Sequence, residues 1–219
     1  DGMGTVTFSG NSVNAGGVDM VKDIVPTAYT AVYENTNAVD NGIVAGIGGR
    51  STASMWGYKN SVGDLTVSLG YNAINSTAAA NAAEGSIGLS YDMDGIQLVA
   101  GRFDDGDVAV HDTVGAKYTA GSVSAALQRS DINYDGTTND QEAIHMGVSF
   151  AVNENLSVSV GRQKVEIDTA ADEEVNTGMS ASYTMGSITI GGGFNEVESA
   201  GGAAGSDAEV TMLNIAFAF

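Results

Sequence analysis

The sequence predicts an all-β fold, an antiparallel transmembrane β-barrel with short periplasmic turns and longer extracellular loops. Three observations support this prediction. Apolar residues alternate with small or polar residues, with a period of two, over most of the chain after residue 52. The connections between the alternating segments are short and long in turn, and an aromatic residue precedes most of the short ones. Membrane barrels have alternating strands of this kind, turns that differ in length on the two sides, and aromatic residues at both membrane interfaces.

The composition excludes several classes of protein. The 219 residues include 27 acidic and 8 basic residues, which give a formal net charge of -19. A nucleic-acid-binding surface is excluded because it requires a basic patch, whereas cations, calcium or an aqueous pore suit an acidic protein. The chain has no cysteine, and therefore neither disulfide bonds nor thiolate zinc sites. Its 30 glycines and single proline fit strands that bend around a barrel.

Membrane-spanning helices are not expected, because no apolar run approaches the roughly 20 residues that such a helix needs. The chain also has no signal peptide and no initiator methionine, so we expect a mature protein or a fragment. Residues 1–219 are predicted as one barrel domain. Residues 10–51 form a long loop in it, and residues 52–219 contain eleven strands.

The strands are predicted from their alternation alone. The first two are Met55 to Asn60 and residues 65–72, in which Leu65, Val67, Leu69 and Tyr71 share one face. The apolar faces of the other nine contain Ile87, Leu89 and Tyr91; Ile96, Leu98 and Ala100; Val114, Ala116 and Tyr118; Val123, Ala125 and Leu127; Ile144, Met146, Val148 and Phe150; Leu156, Val158 and Val160; Met179, Ala181 and Tyr183; Ile188 and Ile190; and Leu213, Ile215, Phe217 and Phe219.

The connections assign the two sides of the barrel. Short turns are predicted at residues 61–63, 94–95, 121, 153–155 and 185–186. Longer polar loops are predicted at residues 75–83, 104–110, 131–140, 169–173 and 199–207. Short periplasmic turns and longer outer loops alternate in this way in membrane barrels.

A row of aromatic residues precedes the short turns and the chain end. Its members are Tyr58, Tyr91, Tyr118, Phe150, Tyr183 and Phe217, spaced 33, 27, 32, 33 and 34 residues apart. One residue per hairpin is the spacing of a girdle at the lower membrane interface. The alternative is cross-strand aromatic packing in a soluble sheet.

A second row lies higher on the ascending strands. Tyr71 and Phe194 are predicted in an upper girdle, and Arg102, Arg129 and Arg162 occupy the same level. These arginines either extend upward to lipopolysaccharide phosphates or turn inward to line the pore. The opposite face of the strands is small and hydrophilic and is expected to line a water-filled lumen rather than a packed core. Its predicted lining residues are Gln97, Lys117, Gln128, His145 and Asn214.

Three features resemble the sixteen-stranded general diffusion porins of Gram-negative outer membranes, with the alphaproteobacterial branch most similar. They are the terminal strand from Asp207, which ends in Ala-Phe-Ala-Phe; the stretch before Ser51, which contains Asp23-Ile24-Val25-Pro26; and the hairpin from Met55 to Asn72. The resemblance implies that Phe219 is part of a signal read by the outer-membrane assembly machinery. It also implies a homotrimer in outer-membrane lipid and lipopolysaccharide.

The resemblance also implies a numbering of the strands. Gly4 to Ser9 is then the end of the fifth strand, and the eleven later strands are the sixth to the sixteenth. Because the family has about four further N-terminal strands, the chain resembles an incomplete member; a smaller barrel is the alternative. An open sheet edge is not tolerated in lipid.

The long loop, residues 10–51, corresponds to the pore-constricting loop of the family. Its candidate constriction residues are Asp19, Lys22, Asp23, Glu34 and Asp40. Carboxylates beside a narrow aqueous passage raise the local concentration of cations. Two alternatives remain, a solvated loop with ordinary surface charges and two further strands at residues 29–33 and 43–47.

One acidic loop matches the spacing of a calcium-binding loop. The candidate metal ligands are Asp131, Asn133, Asp135 and Glu142, with Gly136 at the turn. The flanking segments read as strands rather than helices, so an acidic turn in an outer loop is the alternative. No cofactor is required, and calcium is a possible ligand.

The sequence contains no recognisable catalytic motif, and its only histidines are His111 and His145. We therefore expect a channel for passive diffusion of small hydrophilic solutes and ions, mildly selective for cations, and not an enzyme. The alternative function is a secreted, acidic, calcium-stabilised β-rich adhesin or surface protein.

Overall fold

A computed structural model of the chain describes residues 2–9, 17–34, 55–73, 83–106, 108–136 and 139–218. Within these ranges the regular secondary structure is almost entirely β-strand, with two short 3-10 turns at Gly17–Met20 and Ala200–Gly202. The strands are β1 Thr5–Ser9, β2 Met55–Val62, β3 Leu65–Asn72, β4 Glu84–Met93, β5 Ile96–Asp104, β6 Ala109–Ala120, β7 Val123–Tyr134, β8 Gln141–Ala151, β9 Leu156–Ile167, β10 Glu174–Met185, β11 Ile188–Glu198 and β12 Ala208–Phe217. The predicted fold class is confirmed.

The twelve strands form one antiparallel sheet whose order follows the sequence from β1 to β12. Strands β2 and β3, for example, pair in simple antiparallel register, from Met55 with Asn72 down to Val62 with Leu65. Where a turn is tight, its residues suit it. Asp94 and Gly95 both have positive φ, 46° and 83°. Asp-Gly is the favoured pair for a two-residue turn of this kind, because its twist matches that of the strands.

The two faces of the sheet invert the pattern of a soluble protein. On the outward face, large apolar side chains are exposed; Leu213 is 75% exposed and Met179 59%. On the inward face, polar side chains such as Gln163 and Asn176 are fully buried. Exposed apolar surface on this scale marks a site of membrane or protein contact. No helix among the described residues is long and apolar enough to cross a membrane.

The chain divides into two compact units, one of residues 1–24, 42–116 and 129–141 and the other of residues 25–41, 117–128 and 142–219. The first unit contains the main apolar cluster. Its members lie on the inward face of β2 and β5 and on the segment that follows residue 17, and they are Val18, Val21, Ile24, Met55, Val99 and Phe103.

Several predicted boundaries and one alternative are corrected. The short turn predicted at residues 185–186 lies at 186–187, because Met185 still belongs to β10. The first short turn lies at residues 63–64, because residues 61 and 62 still pair within β2. Strand β7 continues through residue 134, so the loop predicted at 131–140 is shorter. Apolar alternation stops earlier than pairing does, because a strand that extends beyond lipid can be polar on both faces. Residues 29–33 form no strand, and residues 43–47 lie outside the described ranges.

Candidate functional site

Residues 17–34, the inner segment, lie on the inward face of the sheet. In the first unit, the segment begins as the turn Gly17–Met20. The Gly17 N–H donates to Ser68 Oγ at 2.8 Å, and the Val18 N–H donates to Ser86 Oγ at 2.5 Å. Because the first N–H groups of a helical turn have no partner within it, serine hydroxyls on β3 and β4 satisfy donors that burial would otherwise leave unpaired.

Apolar side chains of the inner segment fill the space beside this turn. Val18 and Val21 are fully buried, and a Cβ built on Gly101 of β5 would lie 2.7 Å from a methyl carbon of each. A Cβ on Gly88 of β4 would lie 2.3 Å from the Gly17 carbonyl oxygen. The segment therefore approaches the sheet so closely that only glycine fits at these two inward positions.

In the second unit, serine side chains hold the backbone of the inner segment. The Ala28 N–H donates to Ser159 Oγ at 2.9 Å, and the Tyr29 N–H donates to Ser180 Oγ at 3.1 Å. The two hydroxyls lie 2.8 Å apart. Asn195 Nδ2 on β11 donates to the Ala31 carbonyl at 2.7 Å. Strands β9, β10 and β11 therefore each supply a side chain that fixes the segment's backbone.

Glycines also line the inward face under this half of the segment. A Cβ at each of them would lie close to a side chain of the segment: 2.7 Å from Val25 at Gly147, 3.1 Å from Val32 at Gly161, and 2.5 Å from Thr30 at Gly193. We name the inward residues beneath both halves the small-residue track: Ser68, Ser86, Gly88, Gly101, Gly147, Ser159, Gly161, Ser180 and Gly193. The sequence predicts a small, hydrophilic inward face, but it did not indicate that these residues hold the inner segment.

The candidate constriction charges are partly neutralised. Lys22 Nζ lies 3.0 Å from Asp19 Oδ1, and the Asp19 side chain is only 8% exposed. The Glu34 carboxylate accepts a hydrogen bond from the Thr30 hydroxyl and is exposed. Asp23 is half-buried, and Asp40 lies outside the described ranges. The predicted cluster is therefore one close ion pair and two further carboxylates.

The five predicted lining residues lie on the inward face but differ in exposure. Gln97 is half-buried and donates to Ser90 Oγ at 3.2 Å. Lys117 is half-buried and Asn214 is exposed, whereas Gln128 and His145 are each only 2% exposed. The ring of Tyr33 meets His145 edge-on, with ring centroids 5.4 Å apart. The inner segment thus covers part of the wall predicted to contact water.

The predicted aromatic row lies on the outward face. Tyr91, Tyr118, Phe150, Tyr183 and Phe217 are exposed, and Tyr58 is half-buried. Tyr71, predicted higher, is exposed and pairs directly with Trp56 of β2. Trp56 in turn pairs with Phe8 of β1, with ring centroids 4.8 Å apart. Sequence reasoning missed Trp56 and Phe8, although Trp56 stands only two residues before Tyr58.

The three arginines of the upper row point outward, in phase with the apolar residues of their strands. Arg102 donates to both carboxylate oxygens of Asp112, at 3.1 and 3.2 Å. Arg129 lies 2.9 Å from Asp131. Arg162 is exposed, and no ion pair involves it within the described residues.

The candidate calcium ligands are not gathered into a site. Asp131 and Asn133 lie in β7, Asp135 in the following turn and Glu142 in β8. The described part of the chain contains no group of three or more histidine, aspartate or glutamate side chains that could hold a metal ion. Asp131 instead faces Arg129. Phe219, the predicted assembly signal, lies outside the described ranges.

Comparison with known proteins supports the fold and places it in a family. A family model described as Gram-negative porin matches residues 2–219. A refined porin structure aligns with a TM-score of 0.76 and 16% identity, over 100% of this chain and 79% of that one. OmpT, an outer-membrane protein of Vibrio cholerae, aligns with a TM-score of 0.66 and 15% identity, over 99% and 73%.

An anion-selective porin from Comamonas acidovorans aligns with a TM-score of 0.62 and 16% identity, over 76% of this chain and 60% of that one. At these identities the structural matches support the fold alone. No curated protein sequence matches the chain.

Proposed function

Because the chain belongs to the Gram-negative porin family and resides in the outer membrane, we propose that it forms a water-filled channel for passive diffusion of small hydrophilic solutes and ions. The observation that carries this proposal is the inner segment, which is fastened to the inward face by serine and asparagine side chains. A porin fold implies a channel rather than an enzyme. The alternative of a secreted adhesin finds no support in the family match.

The inner segment is proposed to narrow the passage. Long ordered loops are usually functional, and this one is held by hydrogen bonds from its backbone to the strand side chains. Its exposed residues include Thr27, Tyr29 and Glu34, which are available to contact passing solutes. Because the inner segment packs closely against the small-residue track, it has little room to move along the inward face of the sheet.

Weak cation selectivity is proposed from the charges of the inner segment. Three carboxylates, Asp19, Asp23 and Glu34, against Lys22 give 1 - 3 = -2 over residues 17–34. Since Asp19 and Lys22 form an ion pair, their fields largely cancel, and the exposed carboxylate of Glu34 provides most of the bias, with a smaller contribution from the half-buried Asp23. Salt screens the field of these charges over about 10 Å at 0.1 M, so the preference weakens as the salt concentration rises.

The test is the reversal potential of the native polypeptide across a planar bilayer under a potassium chloride gradient. Asp23→Asn with Glu34→Gln should move the potential toward zero selectivity. The matched control is Glu154→Gln, in the exposed connection between β8 and β9, which should leave it unchanged. An unchanged potential in the double variant would place the selectivity elsewhere on the wall.

The remaining expectations are also proposals. We propose a homotrimer, on the resemblance described above, which sedimentation analysis in detergent tests directly. The sixteen-strand count and the alphaproteobacterial affinity rest on the same resemblance. Calcium binding at residues 131–142 would require the candidate ligands to move together; calorimetry of the folded protein with calcium, compared with Asp131→Asn, decides it.

A further inference from the structure

An apolar groove crosses the outward face of β9, β10 and β11. Val158, Ala181 and Gly192 stand side by side on the three strands. Because Ala181 and Gly192 are small, a hollow remains beside Val158. The next outward row, formed by Val160, Met179 and Phe194, bounds this hollow from above. The groove has a volume of about 390 Å³ and an almost entirely apolar lining. It lies on the face that a porin turns toward lipid.

A single cationic side chain stands above the row that bounds this groove. Arg162 follows Val160 by two residues on β9, so it shares the outward column and lies about 7 Å higher along the strand. It is exposed and in no ion pair within the described residues. The other two arginines of the row bind carboxylates of their own chain, Asp112 and Asp131.

Among the described residues, no carboxylate lies within ion-pair distance of Arg162. Lys164, the next outward residue of β9, is held by Glu166 and Glu173, each at 2.7 Å. Thr177 of β10 pairs with Arg162 of β9 on one side and with Glu196 of β11 on the other. The backbones of Arg162 and Glu196 are therefore two strand spacings apart, each about 4.8 Å. The guanidinium keeps its charge at every physiological pH and presents a planar set of donors that matches phosphate.

We propose that the groove and Arg162 form a binding site for one lipid with an anionic phosphate headgroup. The acyl chain lies along the groove over Ala181 and Gly192, and the phosphate accepts hydrogen bonds from Arg162. A second copy of the chain fits less well, because an apolar strand face laid across the site would desolvate the unpaired guanidinium. A lipid matches both parts of the site, because its acyl chain can occupy the apolar groove while its phosphate reaches Arg162 above it.

The experiment is native mass spectrometry of the folded, full-length protein titrated with phosphatidylglycerol, phosphatidylcholine or lipid A. The parent should retain one phosphatidylglycerol or lipid A molecule about tenfold more tightly than phosphatidylcholine, and Arg162→Gln should remove that preference. Arg162→Lys, which keeps the charge and loses the planar fork, should restore part of it. Ala181→Leu fills the groove and should weaken all three lipids together.

The controls come from β5, where Ala100 precedes Arg102 by two residues on the outward face and the arginine is paired with Asp112. Ala100→Leu and Arg102→Gln should leave lipid retention at the parental level. Equal loss in Arg102→Gln and Arg162→Gln would overturn the proposal, as would equal affinity of the parent for phosphatidylcholine and phosphatidylglycerol.

A change of oligomer mass in Ala181→Leu, without a change in lipid retention, would identify the groove as a contact between copies. Lipid A retained at Arg162 without phosphatidylglycerol would restrict the site to the glycolipid.

Discussion

At the scale of single residues, the absence of a side chain at Gly101 determines how close the inner segment can come to β5. A Cβ there would lie 2.7 Å from methyl carbons of both Val18 and Val21, which are fully buried. Gly101→Val therefore has no free space to occupy. We expect it to cost about 1–3 kcal/mol by overpacking and to push the start of the segment away from the wall.

This displacement is measurable as a changed single-channel conductance in a planar bilayer, together with a lower denaturation temperature. Gly85→Val in β4 is the matched control, because a Cβ at Gly85 has no neighbour within 4 Å. If both variants conduct as the parent does, the start of the segment does not shape the passage.

Some residue contacts could be predicted from the sequence and others could not. The Asp19–Lys22 pair is three residues apart and is the kind of local pair that spacing identifies. The Arg102–Asp112 pair lies ten residues apart on adjoining strands, so it depends on a register that alternation does not specify. Sequence reasoning therefore placed Arg102 on the outward or the inward face with equal justification, and the geometry of its strand puts it outward.

At the scale of elements, alternation predicted the strands, whereas only the family resemblance indicated an inward loop before them. Period-two alternation reports which residues face lipid, and it located all of β2 to β12. It failed at the upper end of β7, where Asp131 and Asn133 interrupt the apolar pattern but the backbone stays extended. The path of the inner segment follows from contacts with strands far along the chain, and no local pattern contains that information.

The serine attachments of the inner segment make a second prediction. Ser180→Ala removes the acceptor of the Tyr29 N–H and of the weaker bond from Thr30. Leaving a buried donor without a partner costs about 1–3 kcal/mol. We expect the second half of the segment to fluctuate, so that the open channel becomes noisier without losing its mean conductance.

The comparison for this variant is Ser182→Ala, one inward position along β10, where no hydrogen bond to the segment is found among the described residues. Current noise at fixed voltage is the measurement. Equal noise in the two variants would mean that the glycine contacts, rather than the serine hydroxyls, hold the segment in place.

At the scale of the whole molecule, the outward aromatic residues should define one plane of the membrane. Amphipathic rings settle at the headgroup level, so we expect Tyr91, Tyr118 and Tyr183 to lie at equal depth. Trp56 is the only tryptophan. In a Trp56→Phe background, a tryptophan introduced at each of the three positions should be quenched equally by lipids that carry bromine at a fixed acyl depth.

Ile87→Trp in the same background provides the contrast, because Ile87 precedes Tyr91 by four residues on β4 and projects from the same outward face. It should be quenched most strongly by more deeply brominated lipids. If the three tyrosine positions lie at different depths, the regular spacing of the row in the sequence does not correspond to a common depth in the membrane.

The attachment of the inner segment also has a consequence for the rate of folding. Its hydrogen bonds join residues 51, 68, 131, 150 and 164 positions apart in the chain. Contacts of such high order close large loops and are intrinsically slow to form. Serine and glycine on a strand can receive the segment only after that strand has paired with its neighbours. Docking of residues 17–34 should therefore be a late kinetic step, and a protease added during refolding should cut these residues after the strands have already become resistant.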